Sequence, residues 1–108
     1  MLLKKPKLDK EDMAVLYKLR DIMLSLDSDE LKAFAYVWDN ISVGEIVFER
    51  DLFRIHGVRK PILVARQLRE KGLIERGEGC YNLARWLRQL RKKITSFNDL
   101  RQLIDKLP

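Results

Sequence analysis

Cysteine and histidine each occur once in this chain of 108 residues, as Cys80 and His56. An intramolecular disulfide is therefore impossible, and a Cys/His metal cluster cannot be assembled within one chain. Cys80 falls on an apolar strand and reads as a buried structural thiol rather than as a nucleophile served by His56. No carboxylate dyad, nucleophile–base pair or metal-ligand spacing stands out, so the expectation is a protein that is not an enzyme and needs no cofactor. No run of about 18 apolar residues is present, which excludes an ordinary membrane-spanning helix. Met1-Leu2-Leu3 is followed at once by Lys4, Lys5 and Lys7, so a secretory leader core is lacking. These absences predict a cytoplasmic chain, nucleoid-associated if its partner is DNA. With 46% apolar residues, residues 1–108 are expected to fold as one domain.

What the chain has in quantity is charge, 35% of its residues with a net charge of +6. The excess is unevenly placed. Residues 1–58 carry 9 basic and 11 acidic side chains, residues 59–93 carry 11 basic and 3 acidic, and residues 94–108 balance at 2 and 2. A solvated, heat-adapted surface with few Asn and Gln would give a similar total, but such surfaces mix signs, whereas this sequence segregates them. Segregation of this kind points to an anionic partner for the basic segment.

The apolar periodicity predicts a mainly helical chain of the α+β kind. Asp9 with Asp12 three residues later opens a helix over 9–26 whose apolar arc is wider than one packing surface requires. Ser28 is placed to cap a helix from Asp29 to Asn40. The β-branched and aromatic run Glu45 to Phe48 predicts a short edge strand, and Glu49 to His56 a two-turn helix with Leu52, Phe53 and Ile55 inward, ended by Gly57. A basic helix follows from about Lys60, with Pro61 in its first turn, Val64, Ala65 and Leu68 on its buried side, and Gly72 at its close. Leu73 to Arg76 and Cys80 to Leu83 read as strands of a hairpin turned by Gly77-Glu78-Gly79. Over 84–107 two further helices are predicted, Ala84 to Ile94 and one capped by Ser96 with Asp99. Trp38 and Trp86 each fall in register with an apolar stripe and are expected in the core or an interface.

The segment from Asp29 to Leu83 resembles the winged helix-turn-helix superfamily, in particular its small archaeal or viral DNA-binding members. The resemblance rests on Leu52 and Phe53, the Gly57-Val58 turn, Val64, Ala65 and Leu68, then Gly72-Leu73-Ile74 entering the hairpin and Tyr81 and Leu83 leaving it. It implies a winged core over 29–83 with a small β-hairpin wing, extra helices at both ends, and binding to double-stranded DNA in transcription regulation or DNA segregation. By position, Arg59, Lys60, Arg66 and Arg69 would face the groove, Arg76 would be the wing contact, and Arg85 and Arg88 would lie along the phosphate backbone.

The stripes of the first and last helices, Leu16, Leu19 and Met23 with Leu100, Leu103 and Ile104, exceed what a three-helix winged core covers. They either pack on each other or meet those of a second subunit, and a homodimer would set two basic helices about one DNA turn apart. Selective base reading is poorly provided for, because Pro61-Ile62-Leu63 stands where Ser, Thr, Asn or Gln usually reach base edges. Ile62 and Leu63 fit thymine methyls, a protein partner or packing against the preceding helix. The alternative function is accordingly a protein-interaction adaptor, or an accessory subunit in a replication or transcription complex.

Overall fold

The computed structural model describes residues 6–108; Met1 to Lys5, where a leader core is expected to be lacking, lie outside them. Asp9 caps α1 (Lys10–Met23) through a reciprocal box, in which the Asp12 N–H donates to Asp9 Oδ1 at 2.8 Å and the Asp9 N–H to Asp12 Oδ2 at 3.1 Å. The helix stops three residues short of the expected Leu26, because the chain must be extended at Asp27 to cap the next one. That cap is Asp27 rather than Ser28: its carboxylate accepts from the Glu30 N–H at 2.8 Å while Glu30 reaches back to the Asp27 N–H at 3.0 Å, opening α2 (Ser28–Asn40). A carboxylate with a Glu three residues on satisfies two orphan donors at once.

Between α2 and the next strand, Ile41 takes φ 60° and ψ −37°. Its N–H donates to Val37 O at 2.7 Å and its carbonyl accepts from the Leu83 N–H at 2.9 Å, so both ends of the residue are held in a conformation that a β-branched side chain resists.

The expected edge strand over Glu45 to Phe48 is helical instead. The strand is β1 (Ser42–Gly44), and Glu45 begins α3 (Glu45–Arg54) directly, with Gly44 as its extended N-cap and the Glu45 N–H donating to Gly79 O at 2.9 Å. Tertiary packing overrides the β preference of Ile46 and Val47, since a helix starting here brings Phe48 and Leu52 together on the core side, both fully enclosed. Phe53 and Ile55, expected inward, consequently lie outside, 60% and 69% exposed.

After a turn closed by the Val58 N–H on Leu52 O at 2.8 Å, α4 (Pro61–Glu70) buries Val64, Ala65 and Leu68 as predicted. Gly72 follows at φ 76°, the left-handed conformation that ends the helix and turns the chain into the sheet. The hairpin forms as expected, β2 (Ile74–Arg76) against β3 (Cys80–Leu83), with Gly79 at φ 66°. β1 adds to the other side of β3, Val43 opposite Tyr81, giving the antiparallel order β1-β3-β2. Helix, strand, helix, helix and wing in this order make a winged helix-turn-helix, extended by α5 (Arg85–Lys93) and α6 (Phe97–Asp105) as well as by α1.

Phe34, Val37 and Trp38 of α2 are fully buried at the centre. Phe34 meets the edges of Trp38 and Phe97, and the Trp38 Nε1–H donates to Ile94 O at 3.0 Å. Trp86 is half-buried instead, donating to Gly72 O at 2.7 Å with the Lys18 ammonium 4.5 Å from the centre of its ring. Cys80 is likewise half-buried on β3, less enclosed than its strand pattern predicted. The stripes assigned to a homodimer are consumed within the chain: Leu16, Leu19, Met23, Leu100 and Ile104 are buried and Leu103 half-buried, because α6 returns across α1. Of the two outcomes the stripes allow, packing on each other is the one seen, and Leu103 keeps part of its surface exposed. No helix among the described residues is long and apolar enough to cross a membrane.

Two outcomes follow for stability. Replacing Ile41 with Gly removes the conformational conflict and few contacts, so chemical denaturation of Ile41→Gly should show a gain of about 1 kcal/mol, strain relief exceeding the added chain entropy. The second concerns Asp12, which is 3% exposed and receives the Lys93 ammonium. Lys93, then the Asp9 backbone N–H, hold the Asp12 carboxyl below the ordinary aspartate range. A depressed folded-state value means that this stabilisation is complete above about pH 4 and lost as the pH falls through the folded value. Urea melts between pH 5 and 2 should therefore show an acid-sensitive slope that is reduced in Asp12→Asn.

Candidate interaction surface

Folding cancels much of the charge segregation seen along the sequence. Of the eleven basic residues in 59–93, six are engaged internally. Lys71 Nζ lies 2.7 Å from the buried Glu30 carboxylate, and Lys93 is on Asp12. The Arg76 guanidinium meets Glu45 at two points, Nε to Oε1 at 2.5 Å and Nη2 to Oε2 at 3.3 Å. Arg85 and Arg88 approach Glu75 at 3.7 and 3.6 Å, with Arg88 Nε also donating to Leu83 O at 2.9 Å. Arg91 donates to the carbonyls of Trp38 and Asp39 at 2.7 and 3.1 Å. Three of the carboxylates that answer these bases, Asp12, Glu30 and Glu45, come from the acidic first half of the chain.

The Glu45–Arg76 pair occupies the arginine expected to be the wing contact. It ties the first turn of α3 to β2 and neutralises the cation that was to reach a phosphate, leaving Glu78 at the exposed tip of the hairpin. Arg76 holds the Glu45 carboxyl below the usual range, and Glu45 raises Arg76 in turn, so the pair stays ionised at neutral pH. Arg85 and Arg88 are partly occupied in the same way, Arg88 more than Arg85 because its backbone contact fixes it over β3. The structure thus separates the seven candidate DNA contacts into two groups. Arg59, Lys60, Arg66 and Arg69 are exposed around α4 with no carboxylate within 4.0 Å among the described residues, whereas Arg76, Arg85 and Arg88 have one.

Beside the four unpaired cations the surface is apolar. Ile62 is 63% exposed on the first turn of α4 and Leu63 is at 37%. Of the three roles open to this pair, packing against the preceding helix is removed for Ile62 by its exposure. Next to it, the outer face of α3 presents Ile46, Glu49, Arg50, Phe53 and Arg54, which with Pro61 line a shallow groove. The inner side of α3 is fixed by Tyr36, whose hydroxyl donates to Asp51 Oδ2 at 2.6 Å. Burial and the Asp51 charge push the Tyr36 hydroxyl up to about 12, so it remains a donor at any physiological pH. Asp51 also accepts from Arg50 Nε at 3.2 Å. These contacts hold Phe48 in and Phe53 out.

Ile46 and Phe53 are the surface residues that sequence reasoning missed. The signal was available in the spacing: taking Phe48 and Leu52 as the i, i+4 pair of a helix begun at Glu45 puts Ile46 and Phe53 on the opposite stripe. The α3 phase has a direct consequence for stability. Phe48→Ala should cost about 3–5 kcal/mol in denaturant unfolding, while Phe53→Ala should change it by less than about 0.5 kcal/mol.

The model of the PolB1 Binding Protein 2 family matches residues 27–89, more than half of the chain, and the chain belongs to that family. The matched span runs from the α2 cap into α5, and includes the α3–α4 surface and the wing but neither α1 nor α6. No curated protein matches the chain. The family is named for binding a protein, where the winged-helix resemblance implied DNA.

Proposed function

From membership in a family named for binding PolB1, we propose that this chain is an accessory subunit of a replication complex that docks on a PolB1 DNA polymerase and performs no catalytic step itself. The observation that supports this above all is the character of the surface that a winged helix offers to DNA. Here it carries Ile62 and Leu63 on the leading turn of α4 and a wing whose only arginine is bound to Glu45. Phosphates give exposed apolar side chains nothing in return for desolvation, while a protein partner does.

Arg59, Lys60, Arg66 and Arg69 support a subordinate role for duplex DNA. They are exposed and have no carboxylate within 4.0 Å among the described residues, which supports contact with backbone phosphates of a duplex held by the polymerase. Such contacts would position the subunit without reading sequence.

Size-exclusion chromatography with light scattering, on the chain mixed with the PolB1 polymerase of the same cells, tests the reading. A stoichiometric complex that survives about 150 mM salt is expected, together with only weak, sequence-independent binding of the isolated chain to duplex DNA. Failure to form a complex, combined with tight and selective duplex binding by the chain alone, would return it to the DNA-binding regulators.

A further inference from the structure

The groove on the outer face of α3 is apolar on its floor and cationic on its rim. Ile46, 80% exposed, and Phe53, 60% exposed, stand seven residues apart on one stripe of the helix, about 10 Å along its axis. Pro61 closes the end of the groove and Ile62 extends the apolar surface beyond it. Arg50 lines the groove paired with Asp51 at 3.2 Å; Arg54 lines it too, and Arg59 and Lys60 immediately precede Pro61 in the chain, none of these three with a carboxylate within 4.0 Å among the described residues. Glu49 is the one acidic side chain that lines the groove and offsets Arg54, so the excess of positive charge comes from Arg59 and Lys60 next to Pro61.

Resting on the accessory-subunit reading, we propose that this groove is the site at which the polymerase docks. It takes a short polymerase segment that presents two or three apolar side chains over about 10 Å, with carboxylates beside them to meet Arg54, Arg59 and Lys60. Charge decides between occupants. A second copy of the chain placed across a two-fold axis would set the cationic rim against itself, and duplex DNA would match the rim but leave Ile46 and Phe53 without apolar contacts. An acidic and apolar protein segment satisfies floor and rim together. The groove also lies wholly within the span shared with the family, whereas the 81% exposed Leu24 lies outside it, just past the end of α1.

The test is a calorimetric titration of the full chain into the PolB1 polymerase of the same cells, using wild type, Phe53→Asp, Arg54→Glu and Leu24→Asp. Phe53 and Arg54 are exposed, so thermal melts of the free variants should match wild type and exclude misfolding as a cause. Phe53→Asp should weaken binding at least about tenfold, as loss of a central anchor does. Arg54→Glu should weaken it several-fold and reverse the contribution of that position to the salt dependence. Leu24→Asp should bind as wild type does. Equal affinity of wild type and Phe53→Asp would overturn the docking site while leaving the accessory-subunit reading intact. Absence of any complex with wild type would overturn both. Self-association of the free chain that Phe53→Asp abolishes would assign the groove to a second copy and overturn the proposal.

Discussion

Enclosure of α2 is the constraint on which the other elements depend. Ala33, Phe34, Val37 and Trp38 have no exposed surface, and α4, α6 and the sheet all lie against them. Each of the large side chains contributes about 1.5–3 kcal/mol through burial, so the helix cannot move without exposing a substantial part of the core. Its polar atoms are used as connectors. The Trp38 indole holds the end of α5 through Ile94, Tyr36 fixes the roll of α3 through Asp51, and Glu30 receives Lys71 from the far end of α4. The strained Ile41 belongs to the same arrangement, since its carbonyl must turn sharply off α2 to reach the Leu83 N–H of the central strand.

Electrostatics follow the same geometry. The basic stretch that looked like one continuous anionic-ligand surface is folded over carboxylates from the first half of the chain and over carbonyls at the end of α2. What remains unpaired is narrower, Lys92 on α5 and a cluster at the start and along the outside of α4, the latter adjoining an apolar surface on α3. A surface of this mixed kind suits a protein partner bearing acids and apolar side chains. It also leaves a few cations free to touch a nucleic acid held by that partner.

Much of the fold is legible in the sequence because local chemistry and tertiary packing agree there. The Asp9-Asp12 box, Pro61 at the first turn of α4, Gly72 after it, the Gly77-Glu78-Gly79 turn and the Ser96 cap all act where their residue types predict. Disagreement arises where two local rules compete. Ile46 and Val47 favour a strand, but the pair Phe48 and Leu52 gains more by entering the core from a helix, and that choice turns Phe53 outward. The surface was less readable for a different reason: pairings such as Glu45 with Arg76 span 31 residues and have no local signature. Likewise the apolar stripes of α1 and α6 are visible in the sequence, but only the fold reveals that they cover each other.

The central claim is that the α3–α4 surface faces a protein rather than DNA. Hydrogen–deuterium exchange of the chain, free and bound to the PolB1 polymerase of the same cells, examines that claim residue segment by residue segment. The account predicts that binding slows exchange across Glu45 to Arg54 and Pro61 to Leu63, with the β2–β3 hairpin and α5 little changed. Protection confined to the hairpin and α5, with α3 exchanging as in the free chain, would contradict it.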